Sequence, residues 1–236
     1  MDLWRDDYRA LSAAVHSDQL RYQEYLRKGH ELAISGVPAL DTRENLLLAI
    51  SREFPGSGRC FFDLSVLYQQ RGDVESALKF ARYSRRFLPG DSNSAVMEAH
   101  LLIDSRMYSE AAGVLRGCLA LMPDHPSIRA ALALALARLW EARRGEQALL
   151  DQVLELCPAH MPPHVFGGPA RVVVSLLRCF ALHHLGRVGE AEALRIRLLR
   201  WCDFETYVPE LIEYPVESWS LETLFTTVRR ALPRAA

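Results

Sequence analysis

Pro55, Pro89 and Pro123 stand 34 residues apart, and Pro158 follows after 35. Each closes an apolar-periodic stretch: Arg52-Glu53-Phe54-Pro55, Arg86-Phe87-Leu88-Pro89, Ala120-Leu121-Met122-Pro123 and Glu155-Leu156-Cys157-Pro158. Proline stops a helix because it lacks the amide donor and clashes with the preceding turn. A periodic proline is therefore a periodic helix end, and a fixed period of this length marks a chain built by repeating one supersecondary unit.

Ahead of each proline the pattern reads helix, short turn, helix. In the best copy Phe61, Leu64, Leu67 and Tyr68 share one helical face. Gly72-Asp73 breaks that helix, and Val74, Ala77, Leu78 and Ala81 mark the next. The second copy has Ala111, Val114, Leu115, Cys118, Leu119 and Met122 on one face. A later copy starts near Val172, turns at Gly186 and resumes with Val188, Ala191, Leu194 and Leu198. The Leu-Ala alternation of 130–137 is expected to be helical, given its alanine content and its neighbours.

Phe61, Leu64, Ser65, Tyr68, Gly72, Ala77 and Pro89 follow the order and offsets of the tetratricopeptide repeat family, which the chain resembles over roughly residues 24–203. Ala95, Ala99, Leu102, Ala111 and Pro123 follow it less fully, with Glu98 where leucine is usual. Cys179, Leu182, Gly186 and Ala191 carry the last copy, which has Asp203 in place of a closing proline. The resemblance implies an all-α fold: a right-handed α-solenoid of about four to five helix pairs with helical caps.

Two segments are expected to be those caps. Residues 1–34 hold a long amphipathic pattern from Leu3 to about Ile34, and residues 204–236 contain Pro209, Pro215 and Pro233. Between them, residues 159–171 carry Pro162-Pro163, Gly167-Gly168 and Pro169 and read as an exposed loop inserted in the array.

The charge balance, 28 basic against 29 acidic residues, offers no general attraction for nucleic acid or an anionic membrane. No apolar run approaches the roughly twenty residues of a membrane span. The acidic start (Asp2, Asp6, Asp7) is not that of a secretory signal, and a soluble cytoplasmic protein is expected. The five cysteines form no Cys-x-x-Cys pair, so they are expected to be reduced packing residues. Cys157, His160, His164, His183 and His184 are the only cluster of metal-ligand types, at spacings that fit no zinc pattern. No phosphate loop, zinc-protease helix or nucleophile elbow occurs. No enzyme activity, metal or cofactor is expected.

In the family the chain resembles, the first helices of successive repeats line a concave groove that takes a peptide or a partner helix. Carried over residue by residue, the groove-lining places are Phe62, Val66, Gln69 and Gln70, then Asn93, Val96, His100, Ile103 and Asp104. The third copy contributes Ala131, Ala135 and Arg138, and the fourth Leu176, Phe180, His183 and His184. A family subset holds peptide carboxylates with Lys and Asn where this chain has Phe62 and Val66, so exposed apolar anchors are expected instead. The partner class is another protein or peptide, with self-association open. The role is that of an adaptor or scaffold; the alternatives are a secretion-type chaperone shielding one client and an enzyme accessory subunit.

Overall fold

The computed structural model describes residues 13–24, 26–27, 43–143, 145–159 and 168–199, without the side chains of 168–172 and 198–199. Among them every regular element is an α-helix and no strand occurs. Two compact units divide the chain, 1–123 and 124–236.

The first unit contains α1 (13–24), α2 (Arg43–Glu53), α3 (Gly58–Gln70), α4 (Val74–Phe87), α5 (Ser92–Asp104) and α6 (Tyr108–Leu121). The second contains α7 (Pro126–Arg143), α8 (Gln147–Leu156), α9 (Gly168–His184) and α10 (Val188–Leu199). Within each unit, helices that follow one another in sequence pack together.

Two turns recur. The turn inside a helix pair carries a left-handed residue: Gly72 (φ 79°), Arg106 (φ 60°), Gly145 (φ 125°) and Gly186 (φ 76°). In three of the four pairs the next amide donates back five residues to the helix: Asp73 to Tyr68 O at 3.0 Å, Met107 to Leu102 O at 2.8 Å, Arg187 to Leu182 O at 2.9 Å. This bond closes a helix by satisfying a carbonyl that the helix itself leaves open. The turn between pairs is set by proline. Leu88, Met122 and Cys157 each precede one, and all three leave the helical region with ψ near 70° (69°, 72° and 76°).

Side chains then fix where each helix begins. Ser57 caps α3 by accepting from the Cys60 amide at 3.2 Å, and Asp73 caps α4 by accepting from Ser76. Asp18 of α1 accepts the Arg59 amide at 2.8 Å, so a carboxylate meets the positive end of α3. Tyr22, one turn further along α1, is 1% exposed and packs with Leu46, Leu47, Ile50, Cys60 and Leu64. Its hydroxyl donates to Asp63 at 2.6 Å, and burial together with that carboxylate pushes its pKa up.

Glu98, in the leucine place of the repeat pattern, is 1% exposed. Arg85 donates to both of its oxygens and Arg82 lies 3.7 Å away, while Arg82 also reaches Glu110 at 2.5 Å. A buried carboxylate is tolerated only with such partners, so the arginines of α4 compensate for the acid in α5.

In the second unit, Ile128, 130–137 and Leu139 of α7 are all buried. A helix apolar on every side belongs inside, and α8 and α9 pack against it. The expected loop is shorter than its sequence suggests, because α9 already begins at Gly168. Pro169 sits in its first turn, where the missing amide costs no internal hydrogen bond. Residues 160–167 lie outside the described residues, as do 204–236 and the ends of the long N-terminal pattern.

Candidate functional site

On α3 the expected groove residues run one helical turn apart, and so do those on α5. Phe62, Val66 and Gln69 are half-buried and Gln70 is exposed; on α5, Val96 is half-buried and Asn93, His100 and Asp104 are exposed. The Arg59 guanidinium lies 4.8 Å above the Phe62 ring, a cation–π contact that holds the ring near the surface. Ile103 departs from expectation: at 9% exposure it belongs to the core.

The second unit departs further. Ala131 and Ala135 are packed inside it, and Leu176 and Phe180 are each 2% exposed. None of the four is an available anchor. The reason lies in α9, where Val174, Ser175, Leu176, Leu177, Cys179, Phe180, Ala181 and Leu182 are all buried, so the places of Leu176 and Phe180 are taken up by packing. Arg138 is half-buried and donates to Glu141 at 3.2 Å.

His183 and His184, in contrast, do belong to a cluster. The His184 ring lies 4.4 Å from Phe180, 4.6 Å from Trp140 and 5.1 Å from His183, between ring centres. Trp140 meets Phe180 edge-on at 5.6 Å. His183 is half-buried and His184 is exposed at one edge; partial desolvation, and after it the neighbouring His183, holds the His184 imidazole below its ordinary pKa. Trp140 Nε1 and His183 Nδ1 are shielded from solvent and have no hydrogen-bond partner. The sequence signal for Trp140 is weak: a large amphipathic ring at the end of an Ala-Leu run.

Two ionic arrangements also escape a sequence reading. Glu44 of α2 accepts from the Tyr68 hydroxyl and from Arg71, both at 2.6 Å, and these bonds hold its carboxyl below the usual range. Arg129 and Arg178 both reach the C-terminal carbonyls of α8.

The described cysteines offer no reactive thiol. Burial pushes Cys118 up to about 11 and Cys60, Cys157 and Cys179 up to about 12, so each stays a protonated packing residue. No group of three or more metal-ligand types forms among the described residues, and His160 and His164 lie outside them. No described helix is long and apolar enough to cross a membrane.

No protein-family model matches the chain, and no curated protein matches it.

Proposed function

We propose that the chain is a non-catalytic protein-interaction scaffold of tetratricopeptide-like helix pairs, taking an extended peptide or a partner helix along α3 and α5. The observation that carries this reading is the pair of mixed rows on those helices. Phe62 and Val66 lead to Gln70, and Val96 is followed by His100 and Asp104, so partly accessible carbon alternates with exposed hydrogen-bonding groups. Apolar anchors give affinity, and polar groups beside them satisfy a ligand backbone. The recurring turns support the scaffold half of the reading, because they join the two helices of successive pairs by the same kind of connection.

The test is capture of a partner by the tagged chain from its native cell, repeated with Val66→Glu and Val96→Glu together. Loss of the captured protein at an unchanged melting temperature supports the reading. Capture that survives in the folded variant removes the partner from α3 and α5.

A further inference from the structure

The second helix of the first described pair, α4, carries an aromatic strip that the α3–α5 reading does not use. Phe61 of α3 is at its centre. Its ring lies 5.4 Å from Tyr83, 5.6 Å from Phe87 and 6.2 Å from Phe80, nearly parallel to the last two. Phe80, Tyr83 and Phe87 are spaced three and four apart, which puts them on one face of α4. Tyr83 and Phe87 remain 38% and 41% exposed. Phe61 and Phe80 pack against the core beneath, so the open part of the strip is Tyr83 and the exposed edge of Phe87, two neighbouring aromatic side chains left for another molecule to cover.

The charges on the same helix say what kind of molecule. α4 contains Lys79, Arg82, Arg85 and Arg86 against one acid, Glu75, in its first turn. Arg82 and Arg85 are taken up by Glu98 and Glu110. Lys79 and Arg86 are left, both exposed. They lie four before and three after Tyr83, so they border the rings along one edge.

We propose that this face of α4 docks an acidic protein segment with apolar anchors, the anchors against Tyr83 and Phe87 and the carboxylates against Lys79 and Arg86. A second copy of the chain fits less well. In a two-fold interface the same face meets itself, and Lys79 and Arg86 then oppose like charges. A nucleic-acid strand fits less well too. The Phe61, Phe80 and Phe87 faces are turned toward one another rather than open to bases, and two cations are few for a phosphate backbone.

The experiment uses the full chain and two labelled synthetic helices, read by fluorescence anisotropy. One helix carries leucine and tryptophan on one face with glutamate along its edges, and the other has lysine for each glutamate. The acidic helix is expected to bind saturably, and the basic one about tenfold or more weakly. Lys79→Glu with Arg86→Glu, both surface changes that leave the core intact, is expected to reverse that preference. Tyr83→Ser is expected to weaken the acidic helix about tenfold, as loss of an aromatic anchor does. Val66→Glu with Val96→Glu tests the other surface: if it abolishes binding of the acidic helix while Tyr83→Ser does not, the helix sits on α3 and α5 and the proposal is overturned. Equal binding of the two helices, or no saturable binding of either, overturns the proposal. So does sedimentation showing a dimer that Lys79→Glu with Arg86→Glu dissociates, since the face then belongs to a second copy.

Discussion

Arg129 on α7 and Arg178 on α9 converge on the same target, the last carbonyls of α8. Arg129 donates to Glu155 O at 3.0 Å and Leu156 O at 3.4 Å, and Arg178 donates to Cys157 O at 2.7 Å. The last carbonyls of a helix have no partner within it and carry its negative end, so two guanidinium groups satisfy bonds and charge together. Arg178→Leu is expected to cost about 1.5–3 kcal/mol, the range for hydrogen bonds to a charged group. Denaturant unfolding measures it, and an unchanged midpoint would mean that water replaces the guanidinium freely.

The left-handed turn residues give an opposite pair of expectations. Arg106 holds φ 60° where Gly72 and Gly186 occupy the equivalent places. A side chain in that conformation costs about 1–2 kcal/mol, of which glycine's freer unfolded state cancels part. Arg106→Gly should therefore raise the melting temperature, and Gly186→Ala should lower it. Both shifts in the same direction would contradict the shared geometry.

Gly58 packs directly against the end of α4. A Cβ there would sit 2.5 Å from Leu88 Cγ and 3.1 Å from the Ser84 carbonyl oxygen, and Ser84 Oγ already donates to Gly58 O at 2.8 Å. The Leu88 side chain can shift, but the Ser84 backbone cannot without disturbing the Ser84–Ser94 hydroxyl contact. Gly58→Ala is expected to destabilise by about 1–3 kcal/mol, the usual range for overpacking. A thermal melt that does not move would show that α4 can yield.

His184 is expected to make stability depend on pH. Its imidazole is depressed below 6.5 in the folded chain, so the unfolded chain takes up the proton first. Stability is therefore full above that value, falls as the pH drops through it, and levels off once the folded form is protonated too. His184→Phe should flatten the decline in melting temperature between about pH 7 and about pH 5. Parallel curves for the two proteins would show that other groups cause it.

How much of this was legible depends on whether the physics is local. Proline and glycine act on their own few bonds, so the ends of α4, α6 and α8 and the turns at Gly72 and Gly186 follow from single residues. Pro169 misleads for the same reason: it breaks a helix interior but suits a first turn, and only the position of Gly168 decides which applies. Phe180 and Leu176 show a different limit. Spacing of three and four identifies a helix face, but α9 from Val174 to Leu182 is buried on nearly every side, Ser175 included, and packing alone decides which side is left outside. Glu98 with Arg85, and Trp140 with His184, join residues on different helices, and nothing in either local stretch announces the other.

The measurement that bears most directly on the scaffold reading is amide hydrogen exchange of the full chain, alone and with its captured partner. The reading predicts added protection in 62–70 of α3 and 93–104 of α5, with α8 to α10 unchanged. Protection confined to α8 through α10, or absent from α3 and α5, would contradict it.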